Sequence, residues 1–457
     1  MIFLSYFLIE GYKKVLFLQS SIDFGKEKIH KIIFKLAPPV MIGQLIQALY
    51  NIVDSLFISN FDENGLTALS IVYPLQLLMI ALAVGTGVGI NTLMSRFRGV
   101  GKENKANEVA GIGTPLAIIS WLIFAIVTYF ILPSYASLQT KDSKVIEYVL
   151  SYGRIVCVFP LGLFLESIWA KVLQAEGKMI LPMVDQIIGA VINIIFDPIL
   201  IFGFKMGLTG AAIATVIGQL ISALIIMKSG FRKPPKLSVY PRHLFNIYKL
   251  GLPNIIMQSA YTFYIFGLNV ILAGFSDAAV TTLGLYYKLQ TFFFIPLGSL
   301  QTCIVPIISY NYARNDIKRV KKILNESIIM GMVLMFIGVL CFEFIPTQMV
   351  RIFSSDKEVL DITEYAFRFI GLSFLPLVTS LIFPVFFESV GYVIRSTILT
   401  VVRTVICFVP IGFLLAKVGG LYWFWMVYPI TEILTTIVGY IFYFSFLKKN
   451  KNDNTCT

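Results

Sequence analysis

The sequence predicts an all-α membrane protein: twelve transmembrane helices in two six-helix bundles, related by a pseudo-two-fold axis normal to the membrane. Three observations carry this prediction. First, the 457 residues are 57% hydrophobic and 14% charged, with a mean hydropathy of +0.82. That is more apolar surface than a soluble chain of this length can bury. Second, the apolar residues gather into twelve runs long enough to cross a bilayer, near 36–59, 66–93, 108–132, 147–170, 179–203, 207–227, 250–275, 279–309, 320–345, 361–386, 391–416 and 420–447. Third, the halves repeat. LAPPVMIGQ at Leu36 aligns with LGLPNIIMQ at Leu250, a shift of 214 residues that also pairs Tyr73 with Tyr287, Gln76 with Gln290, Ser95 with Ser309, Arg154 with Arg368 and Gly177 with Gly391. Six spans is an even number, so both copies run in the same sense.

Taken in order, the chain opens with a cytoplasmic N-terminal segment, 1–35. Its apolar start, MIFLSYFLI, is too short to span, and Lys13 and Lys14 follow it rather than precede it, the wrong order for a signal peptide. An N-terminal lobe, 36–227, comes next, then a basic, Pro-rich cytoplasmic linker, 228–249. A C-terminal lobe, 250–447, and a cytoplasmic tail, 448–457, complete the chain. Of the 37 Lys and Arg, 27 fall in the N-terminal segment, in or beside the even-numbered loops, or in the tail, against six in the odd-numbered loops. Both termini are therefore expected on the cytoplasmic side of a plasma membrane. The +12 net charge is thus topogenic, and nucleic acid is not an expected partner.

Several function classes drop out. The five cysteines show no C-x-x-C spacing and four lie in apolar runs, so they read as small buried hydrophobes. Neither His30 nor His243 lies in an apolar run, which argues against a histidine-ligated metal centre in the membrane. No G-x-x-x-x-G-K-[ST] loop is present, and the G-x-G-x-G run of Gly85, Gly87 and Gly89 sits inside span 2, where close helix packing explains it. No nucleophile–base or metal-ligand cluster appears at membrane depth, so an enzyme is not expected.

What remains is a set of polar residues inside the spans. In span 5, Asn193 and Asp197 are one turn apart, and with Gln186 and Gly189 they fall within about 80° of arc. Pro198 cannot donate its i→i−4 bond, which frees the Ile194 carbonyl. Span 1 carries Gln44, Gln47, Asn51 and Asp54 in a second stripe, which must face protein or water rather than lipid. Counting about 1.5 Å per residue from the outer ends puts Asp54 and Asp197 each roughly 9 Å deep and Thr215 of span 6 about 12 Å deep. Oxygen-bearing residues from three helices thus converge on one layer. Glu166 and Glu388 lie near cytoplasmic span ends, and spacing offers no partner for Lys288, Arg403 or Glu432.

Five stretches resemble the multidrug and toxic compound extrusion (MATE) family: LAPPVMIGQLIQALYNIVDSLFI, SRFRGVGK after span 2, LQAEGK after span 4, NIIFDP in span 5 and GLTGAAIAT in span 6. The resemblance covers roughly residues 30–447. It implies a secondary antiporter that exports amphipathic, often cationic organic compounds in exchange for Na⁺ or H⁺ by alternating access, a multidrug efflux and antibiotic-resistance role. It further implies Asp54, Asn193, Asp197 and Thr215 as the ion-coupling residues, and as the metal ligands if the ion is Na⁺. Where another branch of the family has an acid in span 7, this chain has Tyr261. Candidate substrate-cavity residues are Gln44, Gln47, Tyr50, Asn51, Gln258, Tyr261 and Tyr264. No cofactor beyond the coupling ion, small organic substrates, a bilayer setting and a monomer are expected. A lipid-linked oligosaccharide flippase of related architecture is the alternative, although a pyrophosphate cargo calls for a cationic cavity. The copies also differ: Asp54, Asn193 and Asp197 shift onto Leu268, Cys407 and Ile411, and Thr215 onto Tyr428 after a one-residue slip. The ion site is therefore expected in the first half alone.

Overall fold

The computed structural model describes residues 22–61, 63–354 and 356–453, and among them there are helices and turns but no strand. Among the described residues ten helices are long and apolar enough to cross a membrane, and two bent pairs, each taken as one span, bring the number to twelve. The apolar start MIFLSYFLI, with the rest of residues 1–21, and the end of the tail (454–457) lie outside the described residues.

The first seven helices are α1 (Ile29–Phe61), α2 (Glu63–Gly99), α3 (Glu103–Gln139), α4 (Ser143–Val158), α5 (Leu161–Ala175), α6 (Ile180–Pro198) and α7 (Gly207–Gly230). The second set begins with α8 (Tyr240–Ala273), α9 (Asp277–Ala313), α10 (Ile317–Phe344) and the short α11 (Pro346–Arg351). It ends with α12 (Lys357–Leu372), α13 (Phe374–Val390), α14 (Val393–Val401), α15 (Val409–Phe424) and α16 (Val427–Asp453). Contacts divide the chain into two compact units between Gly251 and Leu252. The linker is less of a loop than its composition predicts, because α8 already starts at Tyr240 and a 3₁₀ turn covers Leu237–Val239.

Two predicted spans are broken rather than straight, and they are repeat partners. Run 147–170 becomes α4 and α5, bent by 40°, and run 361–386 becomes α12 and α13, bent by 50°. Prolines sit at both breaks: Pro160 precedes α5, and Pro376 lies in the first turn of α13, where a missing N–H leaves no helical bond unmade. Pro198 has the predicted effect of disturbing span 5, and the chain answers by widening into a π turn over Ile199–Gly203. Span 11 contains a longer π stretch, Val402–Phe408, between α14 and α15.

Small residues let helices approach closely where the site requires it. A Cβ on Gly162 would stand 2.5 Å from the Gln219 carbonyl carbon and the Leu220 nitrogen, so α5 and α7 touch backbone to backbone. Gly89 of the G-x-G-x-G run faces the Ile247 carbonyl in the same manner, where a Cβ would be 2.1 Å away. The first unit also packs an apolar core in which Ile58, Val72, Leu132, Val149 and Ala211 are all completely buried.

Candidate functional site

The buried face of α6 is a polar ladder. Asp185, Gly189, Asn193 and Asp197 follow at four-residue steps, and all are buried, Asp185 and Asp197 completely. An apolar helix in a membrane carries such a ladder only where it faces protein, since lipid offers no hydrogen-bond partner. The facing surfaces come from α1 and α7.

Asp54, Asn193, Asp197 and Thr215 come together. The Asp54 and Asp197 carboxyls face one another within hydrogen-bonding reach, and Asp54 Oδ1 has no partner among the described residues. Asn193 bridges α6 and α7. With its amide oriented to suit its neighbours, the nitrogen donates to Asp197 Oδ2 at 3.0 Å and the oxygen accepts from the Thr215 N–H at 3.2 Å. Thr215 Oγ1 donates to the Ala211 carbonyl at 3.0 Å, which fixes its rotamer. The result is two facing carboxyls with an amide and a hydroxyl beside them. All four are oxygen-bearing groups suited to a hard monovalent ion or a shared proton. Among the described residues no trio of His, Cys, Asp or Glu comes together. A Na⁺ ion bound here would require the Asn193 amide to turn its oxygen inward.

Below this group lies a cavity of about 80 Å³, lined by Gln47, Tyr50, Glu166, Gln186, Gly189, Asn193, Thr215 and Gln219 among others. Two of the candidate substrate residues, Gln47 and Tyr50, are therefore in its wall. Gln44 is half-buried and Asn51 exposed, so the span-1 stripe is split between Asp54 in the interior and residues nearer the surface of the unit. Sequence reasoning missed Asp185, Gln219 and Ser222, whose Oγ donates to the Asp185 carbonyl at 2.8 Å. For Asp185 the signal was present, because it extends the Gly189–Asn193–Asp197 spacing by one step.

Two of the motifs serve the scaffold. Arg98 of SRFRGVGK donates to the Ala175 carbonyl at 2.8 Å. Glu176 of LQAEGK accepts from Lys178 Nζ and Arg232 Nη2, both at 2.6 Å. Burial raises the Glu176 carboxyl, but the two cations outweigh it and hold it below its usual 4.5. This cluster ties the ends of α2, α5 and α7 together outside the spans.

The second unit has different contents. Leu268, Cys407 and Tyr428, the counterparts of Asp54, Asn193 and Thr215, are buried in apolar and aromatic packing. Gln258 donates to Asn254 Oδ1 at 2.8 Å. Tyr261 is half-buried and meets Tyr264 edge-on at 5.3 Å, while Tyr264 is buried and stacks on Phe408 at 4.7 Å. Arg403 and Glu432, for which spacing offers no partner, pair with each other: Arg403 Nη2 lies 2.6 Å from Glu432 Oε1.

The MatE family model matches residues 39–199 and 253–414, well over half of the chain and one segment in each half. Asp54, Asn193 and Asp197 fall inside the first segment. A protein of Staphylococcus saprophyticus named multidrug export protein MepA is 26% identical over 409 residues, 87% of this chain and 90% of that protein. The protein of the same name from Staphylococcus haemolyticus is 25% identical over 406 residues, 87% of this chain and 89% of that protein. Among solved structures, an outward-facing multidrug resistance MATE transporter of the MOP superfamily superposes with a TM-score of 0.89 at 20% identity, covering 95% of this chain and 99% of that one. A MOP superfamily transporter from Pyrococcus furiosus, described as having reverse polarity of its binding pocket, gives 0.88 at 21% identity with the same coverage.

Proposed function

The chain belongs to the MATE family of transporters, and from that premise we propose that it exports amphipathic, often cationic organic molecules in exchange for Na⁺ or H⁺ by alternating access. A multi-pass membrane transporter rather than an enzyme is what that membership means. Asp54, Asn193, Asp197 and Thr215 are proposed as the coupling site. The observation that supports this reading best is the facing of two buried carboxyls, Asp54 and Asp197, from different helices. Two ionised carboxylates side by side in a low-dielectric interior repel strongly, so the pair takes up a cation or a proton and binds it most tightly when α1 and α6 are close. A site that binds the ion more tightly in one access state than in the other shifts the equilibrium between them, and ion entry then drives substrate exit. The Pro38–Pro39 pair in α1 and the π turn after Pro198 interrupt the two helices that carry the acids and are the natural flex points.

The names of the relatives support drug export, and the acidic and amide lining of the first-unit cavity suits cationic cargo better than the pyrophosphate of a lipid-linked sugar. The test is efflux of a fluorescent organic cation from loaded proteoliposomes, with Na⁺ and pH gradients imposed separately. Export driven by one gradient and not by the other identifies the ion. Equal efflux with and without any gradient refutes antiport, and flipping of a lipid-linked sugar without cation efflux selects the alternative.

A further inference from the structure

The repeat puts different chemistry at equivalent interior positions. At the shift of 214, Glu166 corresponds to Ser380 and Gly189 to Arg403. With the one-residue slip of the last helix pair, Gln219 corresponds to Glu432. In the second unit the three side chains meet. Arg403 Nε lies 3.0 and 3.1 Å from the two Glu432 oxygens, Nη2 lies 2.6 Å from Oε1, and Ser380 Oγ donates to Oε2. The guanidinium is a built-in cation, and its carboxylate partner is fully buried.

In the first unit, Glu166, Gly189 and Gln219 all line the cavity already described. Glycine supplies no cation, and the acid has moved to the neighbouring helix. Among the described residues the buried Gln219 Oε1 has no hydrogen-bond partner. Asp185 lies against Glu166 and is completely buried, and apart from that acid neither of its oxygens has a side-chain partner among the described residues. Lys171 is the basic group near Glu166, and its ammonium donates to Gln174 Oε1 at 3.0 Å. Two acids set against one base, with an orphaned amide oxygen on the cavity wall, form a site with one positive charge fewer than its acids. Buried carboxyls of this kind stay ionised only when a cation pairs with them.

We propose that this cavity binds the cationic nitrogen group of an organic molecule, an ammonium or guanidinium, at the place the Arg403 guanidinium takes in the second copy. The proposal rests on the reading of the protein as an exporter of organic cations and deepens it. Charge recognition falls to Glu166, backed by Asp185, with Gln219 Oε1 accepting a hydrogen bond. Asn193 and Thr215 line the same cavity, so a bound nitrogen shares the space that reaches the coupling group, at a distance of roughly two turns of α6 from Asp197. A coupling ion and a cationic substrate then disfavour one another by like-charge repulsion, which is the relation an antiporter needs.

The experiment is calorimetric titration of the full chain in nanodiscs with n-propylguanidinium, an analogue of the arginine side chain, and with its neutral isostere n-propylurea. Saturable binding of propylguanidinium is expected, with propylurea weaker by about tenfold or more. Glu166→Gln should weaken propylguanidinium by about tenfold or more, and Gln219→Lys, which tethers an ammonium inside the cavity, should abolish its binding. Absence of propylguanidinium binding, equal binding of the two probes, or unchanged binding in the variants overturns the proposal. If Glu166→Gln fails to fold, Gln219→Lys decides alone. Propylguanidinium binding without gradient-dependent export would sink the antiport reading and leave this site standing. Gradient-driven export without such binding would do the reverse.

Discussion

Replacing Asp54 by Asn probes the carboxyl pair with the least disturbance, since the side chains are nearly isosteric and Asn still hydrogen-bonds. In the native protein the carboxyl of Asp54 faces that of Asp197 within hydrogen-bonding reach. Two unit charges about 4 Å apart at an effective dielectric of about 20 repel by roughly 4 kcal/mol. Capture of one Na⁺ or one proton relieves that repulsion, so the facing pair adds up to about a thousandfold to cation affinity. Asp54→Asn removes one charge and with it the relief. The expected result in proteoliposomes is loss of gradient-driven efflux of a fluorescent cation, or a half-saturating ion concentration raised by about two to three orders of magnitude. Thermal unfolding and gel filtration of the variant should match the parent, since volume and hydrogen bonding are kept. Ion-coupled efflux with an unchanged half-saturating concentration in a folded Asp54→Asn protein would show that the pair does not hold the ion.

Thr215→Ala should act more mildly, costing about 0.5–1.5 kcal/mol of ion affinity, because Oγ1 already donates to the Ala211 carbonyl. A defect as complete as that of Asp54→Asn, accompanied by a lowered unfolding temperature, would instead mark a packing fault between α6 and α7. Tyr261→Phe and Gln258→Ala should change the ranking of exported compounds in a drug-susceptibility panel while leaving Na⁺ or pH dependence intact. Loss of ion dependence in these variants, with retention in Asp197→Asn, would move the coupling site to the second unit. Glu176→Gln should destabilise the protein by about 1–2 kcal/mol at neutral pH, since it breaks contacts to both Lys178 and Arg232. The folded carboxyl is held below 4.5, so its stabilisation is fully present above about pH 4.5 and lost as pH falls through the folded value. The two proteins should therefore converge in unfolding temperature as the pH falls through the folded value, and a difference that persists in acid below it would contradict the ion-pair account.

Membrane class, the number of spans and the duplication are all legible in the sequence, because each depends on local composition or on comparison of the chain with itself. Hydrocarbon imposes a length of about 20 apolar residues on any helix that crosses it, and that requirement is written in consecutive residues. The stripe of α6 is legible for a similar reason: residues four apart share a face whatever surrounds the helix. Its first member, Asp185, was overlooked although it obeys the same spacing. The breaks were harder to read. Proline marks a weakness in a helix, but whether the chain bends by 40°, as at Pro160, or widens into a π turn, as after Pro198, depends on how the next helix packs.

Tertiary structure alone decided who meets whom. That Asp54 of α1 faces Asp197 of α6, that Asn193 reaches Thr215, and that Arg403 finds Glu432 across 29 positions are pairings between helices. Spacing along one helix fixes the face a residue occupies but says nothing of the rotation or offset of its neighbour. Those are set by contacts such as Gly162 of α5 against the backbone of α7. The cavity is tertiary for the same reason. Its wall takes residues from several helices of the first unit, with Gly189 and Gly218 meeting at the close contact of α6 and α7, and a sequence lists those residues but not the volume between them.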